Sequence, residues 1–375
     1  MLPGLTVAKF FQLEYRLDLL VDLRIASELP ALLARPSATS NTVQVRSRTS
    51  PLFQSSLVNF GSEMRACFKR TLSIVSILCS FPLVAQDLAP RAYIITPIHS
   101  NALTLAYSFN SGNLIFDGEI PISDARAKVS VLVFNYSHSL SFFGRTASFL
   151  AAVPYGIGNF HGTVMGNETD VYRSGLLASA FRFSVNLKGG PAMDLKDFSK
   201  WQQKTLVGVS LKVVTPSGQY DPTKLINYGA NRWAFKPELG ISKRWHHWLL
   251  DTYGAVWFLT TNNEFFSRNQ YNPGVTAQSQ APVGAFEGHL SYDVKPRFWA
   301  SLDGNFWFGG RTSLNGTLNI NTLQRNSRVG GTVSLPVSKH QSLKFSYSNG
   351  AYIRYGGNFQ AISLGWQYSW LGRPK

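Results

Sequence analysis

Cysteine is almost missing from this sequence, and so are long apolar runs. The 375 residues include two cysteines, Cys67 and Cys79, and both fall within residues 64–85. The chain after residue 85 therefore has no disulfide and no thiol chemistry. After Leu83 no stretch reaches 18 consecutive apolar residues. This excludes a transmembrane helix there, because a helix needs about 20 apolar residues to span a bilayer.

Acidic residues are also scarce, with 20 Asp and Glu against 36 Lys and Arg. The basic residues are scattered singly, which disfavours a nucleic-acid-binding surface. Anionic outer-membrane lipid and lipopolysaccharide suit the excess positive charge better as partners. Charged residues make up only 15% of the chain and aromatic residues 13%. That combination favours a membrane β-barrel with aromatic girdles.

Residues 64–85, MRACFKRTLSIVSILCSFPLVA, have the parts of an export signal. A basic region at 65–70 precedes a short apolar core at 71–79 and a small-residue cleavage site that ends at Ala85. We expect this signal peptide to be cleaved and the chain to reach the bacterial outer membrane.

Residues 1–63 differ from the rest of the chain. They hold Pro, Ser, Thr and Arg without steady periodicity. We expect a disordered, non-native extension upstream of a true start at Met64. A genuine long leader is the alternative.

From residue 101 onward the apolar residues alternate with small or polar ones. In AISLGWQYSW, 361–370, the residues Ile, Leu, Trp, Tyr and Trp share one face, while Ala, Ser, Gly, Gln and Ser share the other. A period of two predicts β-strands. A sandwich and a membrane barrel both give this alternation, but aromatic strand ends and a face rich in Gly and Ser favour the barrel.

The pattern predicts a transmembrane antiparallel β-barrel of about 12 strands over 101–370, of the bacterial outer-membrane type. Residues 86–100 are expected as a periplasmic N-terminal segment and 371–375 as a C-terminal tail. Short connections belong to the periplasmic side and long ones to the outside. The exception is 188–204, which is long on the short side and suggests a small helix. The predicted strands are centred on 101–109, 129–137, 146–155, 176–187, 205–214, 233–242, 249–259, 285–292, 298–307, 328–336, 342–352 and 360–370, and the predicted long loops are 110–128, 156–174, 215–232, 260–284 and 308–327.

Several stretches resemble the outer-membrane transporter family named for the MetA pathway of phenol degradation. They are 89–113, 173–187, 203–242 and 342–370, and the most specific part is PSGQY at 216–220 followed by Asn-Arg-Trp at 231–233. The resemblance implies a barrel and the passage of aromatic or other hydrophobic compounds. It brings no known ligand residues with it.

The same motif has a physical interpretation of its own. Pro216 ends a strand, Gly218 permits a tight turn, and Asp221-Pro222 begins another turn. This predicts a structured extracellular loop that folds toward the mouth, although a simple linker remains the alternative. The candidates for a constriction are Gln219, Tyr220, Asp221, Asn231 and Arg232.

Strand parity also predicts which charged residues point into the lumen. The five cations and three anions leave a net charge of +2, which would either line a wet path that favours anionic solutes or pair into a plug, for instance between Lys212 and Glu238. The lumen-lining candidates are Arg182, Lys212, Lys236, Glu238, Glu287, Asp303, Arg328 and Lys344.

Catalytic and metal-binding interpretations are weaker. His340, Ser342 and Asn349 resemble the residue types of outer-membrane phospholipases, but the predicted topology puts His340 and Ser342 at a periplasmic turn, on the wrong side of the membrane. His246 and His247 are adjacent, so they point oppositely on a strand and lack a third ligand. The sequence therefore predicts no enzyme, no cofactor and no metal site.

The function expected from the sequence is passive diffusion of small, hydrophobic or aromatic compounds through an outer-membrane channel. The expected partners are the solute, outer-membrane lipid, lipopolysaccharide and the barrel assembly machinery, but no nucleic acid. A barrel with a structural or adhesive role is the alternative, and an outer-membrane lipase is a minor one.

Overall fold

The computed structural model describes residues 89–115, 122–164, 166–224, 226–266 and 277–372. The predicted signal peptide at 64–85 and the extension at 1–63 lie outside the described residues. Within those ranges no helix is long and apolar enough to cross a membrane.

Twelve antiparallel strands close into a barrel, which confirms the predicted fold class. Each barrel strand pairs with its neighbour along the chain, and the β1–β16 pairing joins the two ends of the sheet. The barrel strands are β1 (Ser100–Ile115), β2 (Ile122–Phe142), β3 (Arg145–Val164), β5 (Ala180–Lys188), β6 (Thr205–Val214), β7 (Ala234–Trp245), β8 (Trp248–Leu259), β10 (Val283–Lys295), β11 (Phe298–Gly309), β14 (Gln324–Pro336), β15 (Gln341–Ile353) and β16 (Gly356–Leu371).

The remaining elements lie at the ends of the barrel. Strand β4 extends β3 as a hairpin, and β9, β12 and β13 form a small separate sheet. A four-residue helix, α1, lies in the long connection between β5 and β6, where the sequence suggests a helix. The bounds are β4 (Asn167–Leu176), β9 (Gln278–Gln280), β12 (Thr312–Leu314), β13 (Thr317–Asn319) and α1 (Leu195–Phe198).

Two of the predicted long loops are wrong. Most of 110–128 belongs to β1 and β2, and most of 156–174 belongs to β3 and β4. Strand β2 alone has 21 residues, about twice what a tilted strand needs to cross the bilayer. Above the membrane a strand needs no apolar outer face, so the alternating pattern fades there although the hydrogen-bonded ladder continues.

Side chains alternate across the barrel wall as the sequence predicts. On β16 the outward residues Leu364, Trp366 and Tyr368 are 43%, 37% and 38% exposed. The rings of Trp366 and Tyr368 stack 6.5 Å apart near the end of the strand. These residues form the lipid-facing surface, with aromatic rings at its edge.

The strand that faces β3 is interrupted between β4 and β5. Pro154 of β3 accepts a hydrogen bond from the backbone N–H of Leu177 at 3.0 Å, and the Leu177 side chain is buried at 8% exposure. Pairing with β3 resumes at Ala180. The interruption turns an apolar side chain from the wall into the upper lumen.

Candidate functional site in the barrel lumen

A row of charged and polar side chains crosses the inner wall. At its start, Glu238 Oε1 accepts hydrogen bonds from Arg182 and from the Tyr93 hydroxyl, each at 3.0 Å. The Lys236 ammonium lies 2.8 Å from Glu238 and 2.8 Å from Glu287, and so links β7 to β10. Lys236 and Glu287 are each 4% exposed, so their charges are compensated by each other rather than by water.

The row continues through β10, β11 and β14. His289 Nδ1 lies 2.9 Å from Asp303 Oδ1. Ser301 donates to the same oxygen at 2.8 Å, and Thr332 donates to Oδ2 at 2.7 Å. Thr332 Oγ1 also lies 3.3 Å from Ser346 Oγ on β15. The side chains of four consecutive inner-wall strands, β10, β11, β14 and β15, are therefore fixed to one another.

The eight predicted lumen residues all lie on the inner-facing side of their strands. Five of them, Arg182, Lys236, Glu238, Glu287 and Asp303, belong to the row. Arg328 of β14 donates to Ser348 of β15 at 2.9 Å, and the Lys212 ammonium lies 5.8 Å from the centre of the Trp257 ring. Lys344 of β15 stands apart: it is exposed, whereas the other seven are buried or half-buried.

The segment 89–99 lies against the inner wall, although the sequence alone suggests a periplasmic segment at 86–100. Its residues Tyr93 and Ile95 are 2% and 1% exposed. The Tyr93 ring covers Gly208 and Gly240, and a Cβ atom at Gly240 would lie 2.2 Å from a ring carbon. Glycine at these two positions lets the segment pack flat on β6 and β7.

The start of this segment is held by charges at the periplasmic end of the lumen. The Arg91 guanidinium lies 2.7 Å from Asp293, which also pairs with Arg244 of β7. The Arg91 backbone N–H donates to Asp251 at 3.2 Å. The guanidinium carbon lies 4.2 Å from the centre of the Trp299 ring, a cation–π distance. These contacts tie 89–99 to the strands that carry the charged row.

The opposite wall carries small and neutral side chains. Apart from Lys344 and three apolar residues at the extracellular end (Leu114, Ile353 and Phe359), the inward positions of β15, β16 and β1 hold Ser, Thr, Ala, Gly, Asn and Gln, and most of them are half-buried rather than buried. A Cβ atom at Gly365 would find no atom nearer than 3.8 Å. Inward-facing residues that keep solvent exposure border open space in the lumen. These residues are Thr104, Ala106, Ser108, Asn110, Ser342, Ser346, Ser348, Ala361, Ser363, Gly365, Gln367 and Ser369.

Apolar side chains surround the extracellular half of the lumen in two clusters. The first cluster lies on β1, β2 and β16 and includes the residue that follows β4. The second cluster lies on β6, β7, β8, β10 and β11 and at the end of β15. They consist of Leu114, Ala125, Ala127, Val129, Val131, Leu177 and Phe359, and of Val214, Ala234, Trp257, Val283, Ala285, Trp307 and Ile353.

The loop between β6 and β7 folds onto this apolar layer. Tyr228 packs against the first cluster, and its hydroxyl donates to the Arg173 carbonyl at 3.3 Å. A Cβ atom at Gly158 would lie 2.5 Å from the Tyr228 oxygen. Glycine on the inner face of β3 therefore makes room for a loop residue inside the mouth.

The five predicted loop residues anchor this loop. The Gln219 N–H donates to Leu176 at 2.7 Å, and the Tyr220 hydroxyl donates to the Glu264 carbonyl at 3.1 Å. Asn231 donates to Asn262 at 3.1 Å, and Arg232 donates to Gln280 at 2.6 Å. Asp221 accepts from the Thr223 hydroxyl at 2.6 Å and closes an outer turn.

The pKa values of Arg232 and Asp221 are both lowered. Burial lowers the pKa of Arg232 to about 10, because desolvation disfavours its charged form. The hydrogen bond from Thr223 holds the pKa of Asp221 below its usual range. Both groups remain charged at neutral pH.

The structure does not assemble the residues that resemble a lipase. His340 Nδ1 lies 3.0 Å from the Ser369 carbonyl oxygen, in the turn between β14 and β15. Asn349 is seven residues from Ser342 along β15, which corresponds to roughly 23 Å of strand. His247 Nδ1 lies 3.1 Å from the Asp293 carbonyl oxygen. The described residues hold no cluster of three or more His, Cys, Asp or Glu arranged for a metal ion.

Several residues that line the lumen are not predicted from the sequence. Asp251 and His289 are 0% and 1% exposed on the inner face, and the same parity that identifies Glu287 would have indicated both. Tyr93 and Arg91 precede the first strand, where parity predicts nothing. Their docking depends on contacts with distant strands.

Comparisons with known proteins agree with this architecture. The family model described as "Putative MetA-pathway of phenol degradation" matches residues 110–370. The sequence matches none of the curated proteins. The crystal structure of the COG4313 outer membrane channel from Pseudomonas putida F1 superimposes with a TM-score of 0.63 at 15% identity, covering 76% of this chain and 100% of that one. The transport unit of the autotransporter AIDA-I from Escherichia coli gives a TM-score of 0.43 at 11% identity, with 81% and 97% covered. The first of these likenesses supports the barrel fold of this chain.

Proposed function

The chain belongs to the family described as "Putative MetA-pathway of phenol degradation", and from this membership we propose that it is an outer-membrane channel for small aromatic or other hydrophobic compounds. The solute crosses by passive diffusion. The observation that carries the proposal is the half-buried inner face of β15, β16 and β1. Side chains fill the lumen beside the charged row but leave space beside the small residues.

The lumen offers a graded path to such a solute. The two apolar clusters at the extracellular end suit an uncharged ring, because transfer of apolar surface out of water is favourable. The loop between β6 and β7 narrows this entrance through Tyr228, and Gln219, Tyr220, Asp221, Asn231 and Arg232 hold the loop in place. Farther in, the hydroxyl and amide groups of the small-residue wall replace water around polar substituents.

Delivery to the membrane completes the proposal. A signal peptide at 64–85 directs export, the barrel assembly machinery inserts the chain, and lipopolysaccharide surrounds its outer half. The aromatic C-terminal strand, Gly356–Leu371, supports recognition by that machinery. Deletion of residues 1–63 should leave export and insertion unchanged.

Solute uptake by proteoliposomes tests the channel. After subtraction of the uptake by protein-free liposomes, we expect wild-type protein to admit phenol and toluene faster than sugars. Ser363→Trp, on the inner face, should reduce phenol uptake strongly because the indole fills the open side. Ile362→Trp, on the lipid face of the same strand and 60% exposed in the native protein, is the matched control. Equal uptake by both variants, or none by wild type, would refute the proposal.

A barrel without transport is the second candidate. The docking of 89–99 favours it, because Tyr93 and Arg91 narrow the periplasmic end of the lumen. The same experiment separates the two functions. A purely structural barrel would add nothing to the uptake of phenol and toluene by protein-free liposomes and would not respond to Ser363→Trp.

A further inference from the structure

Lys344 differs from every other predicted lumen charge. It is exposed, although it lies on the inner face of β15 between the half-buried serines Ser342 and Ser346. Within the described part of the chain, no carboxylate lies within ion-pair distance of its ammonium. The nearest acidic residue of the charged row, Asp303, is already bound by His289, Ser301 and Thr332.

The position of Lys344 places its charge beside the open part of the lumen. Its strand partners are Ser334 on β14 and Gly365 on β16. A Cβ atom at Gly365 would lie 3.9 Å from the Lys344 Cβ atom and 3.8 Å from that of Ala106. The wall next to the lysine stem is therefore flat and leaves room for a ligand.

Trp299 separates Lys344 from the docked N-terminal segment. The Lys344 ammonium lies 5.8 Å from the centre of the Trp299 ring, and the Arg91 guanidinium carbon lies 4.2 Å from the same centre. Arg91 is occupied by Asp293. The segment thus covers the charged side of the periplasmic end, and Lys344 marks the side that it leaves open.

We propose that Lys344, with the hydroxyls of Ser342 and Ser346, forms an anion subsite that takes the carboxylate of small aromatic carboxylates on their way to the periplasm. This inference rests on the proposed channel function and names a solute class for it. An ammonium in a wet path attracts anions, while its solvent exposure keeps the attraction weak enough for release. The hydroxyls donate hydrogen bonds to the carboxylate oxygens.

The test compares benzoate with phenol, which have similar rings but differ in charge at neutral pH. Uptake of both is measured in proteoliposomes containing wild type, Lys344→Gln, Lys344→Arg or Lys243→Gln, and the uptake by protein-free liposomes is subtracted. Lys243 is an exposed, outward-facing residue near the same rim, so its replacement removes one charge outside the lumen. Heat-modifiable migration on gels verifies that each variant is folded.

We expect Lys344→Gln to lower the benzoate-to-phenol uptake ratio roughly fivefold, the effect of removing one close charge contact in a wet environment. Lys344→Arg should keep most of the ratio and Lys243→Gln all of it. In planar bilayers the reversal potential of Lys344→Gln should shift toward cation preference, and the shift should shrink at high salt.

The outcomes distinguish the subsite from the channel. Phenol uptake with an unchanged ratio in Lys344→Gln overturns the subsite and leaves the channel standing. A fivefold loss in Lys243→Gln as well would trace the effect to overall charge and also overturn the subsite. Absence of uptake of both solutes by wild type overturns the channel and the subsite together.

Discussion

The two walls of the lumen have the same strand geometry, but the chemistry of their inward side chains is opposite. On β7, β8, β10 and β11 most inward side chains are buried, and they include a continuous row of ion pairs and hydrogen bonds. On β15, β16 and β1 the inward side chains below the apolar clusters are, apart from Lys344, small, neutral and mostly half-buried. One wall is filled by its own side chains and by residues 89–99, whereas the other is left clear.

This difference separates the paired charges of the first wall from Lys344, which faces the clear side of the lumen. Buried charges on the first wall must be satisfied by partners, since an uncompensated ion in a low-dielectric interior is costly. Paired in this way, they offer little to a passing solute. The number of charges that point inward is therefore a poor guide to selectivity; their exposure decides it.

The largest effect is expected on the first wall, when Lys236 is replaced. Lys236→Ala leaves Glu238 and Glu287 without the ammonium that holds both at 2.8 Å. We expect the free energy of unfolding to fall by about 3–5 kcal/mol, as for other broken buried ion pairs. Heat- or urea-induced unfolding in detergent, followed by gel migration, measures the loss. Lys243→Ala on the outer face of the same strand is the control, and equal unfolding of both variants would contradict the assigned role.

The second test asks whether the clear wall is a lumen wall at all. Leu364 is 43% exposed on the outer face of β16, so Leu364→Arg places a charge among the acyl chains at a cost of roughly 2–4 kcal/mol. Ser363→Arg, on the inner face, should assemble normally and instead lower conductance. Assembly yield and single-channel currents separate the two effects. The reverse order would place β16 one residue out of register.

The third test compares an alanine substitution at a crowded glycine with one at an uncrowded glycine. Gly240→Ala brings a methyl group within 2.2 Å of the Tyr93 ring, whereas Gly365→Ala meets no atom nearer than 3.8 Å. Gly240→Ala should displace residues 89–99 and raise conductance, with a loss of about 1–3 kcal/mol from overpacking. Gly365→Ala should change neither conductance nor stability. Identical currents from the two variants would mean that the segment does not narrow the path.

The smallest effect is expected outside both walls, in the loop above them. The pKa of Asp221 is lowered in the folded protein, chiefly because Thr223 donates to it. A lowered pKa stabilises the loop at pH values above the pKa of the unfolded chain. This stabilisation is lost as the pH falls through the pKa of the folded protein. Hydrogen exchange at the Thr223 amide should therefore quicken below about pH 4 once intrinsic rates are corrected. Asp221→Asn should abolish this dependence, and a persistent step would assign it to another group.

The sequence predicted the barrel well because a membrane makes alternation obligatory. All twelve barrel strands, the outward position of Leu364 and the helix near Leu195 follow from local pattern. The long hairpins of β1–β2 and β3–β4 were missed, since strands beyond the bilayer lose the apolar face that makes them recognisable. The inward parity of the eight candidate charges agrees with the structure, but parity alone could not tell a paired ammonium from an exposed one.

The position of residues 89–99 could not be predicted from local sequence patterns, for a different reason. Tyr93 packs on two glycines that lie on β6 and β7 and bonds to Glu238, so its position depends on residues far along the chain. Isolated glycines in strands often mark a close approach of another part of the chain. Gly208 and Gly240 lie at facing positions on paired strands. They indicated that another part of the chain comes close, but not which part.

The attachment of this segment to β1 has a consequence for the order of assembly. Strand β1 begins at Ser100, on the periplasmic rim, where it pairs with Leu371 of β16. Residues 89–99 therefore reach the lumen from the rim and thread through no closed ring of strands. The seam between β1 and β16 can form first, and the segment can settle afterwards as a late step of maturation. A newly inserted barrel would then conduct more freely than the mature one until Tyr93 reaches its glycines.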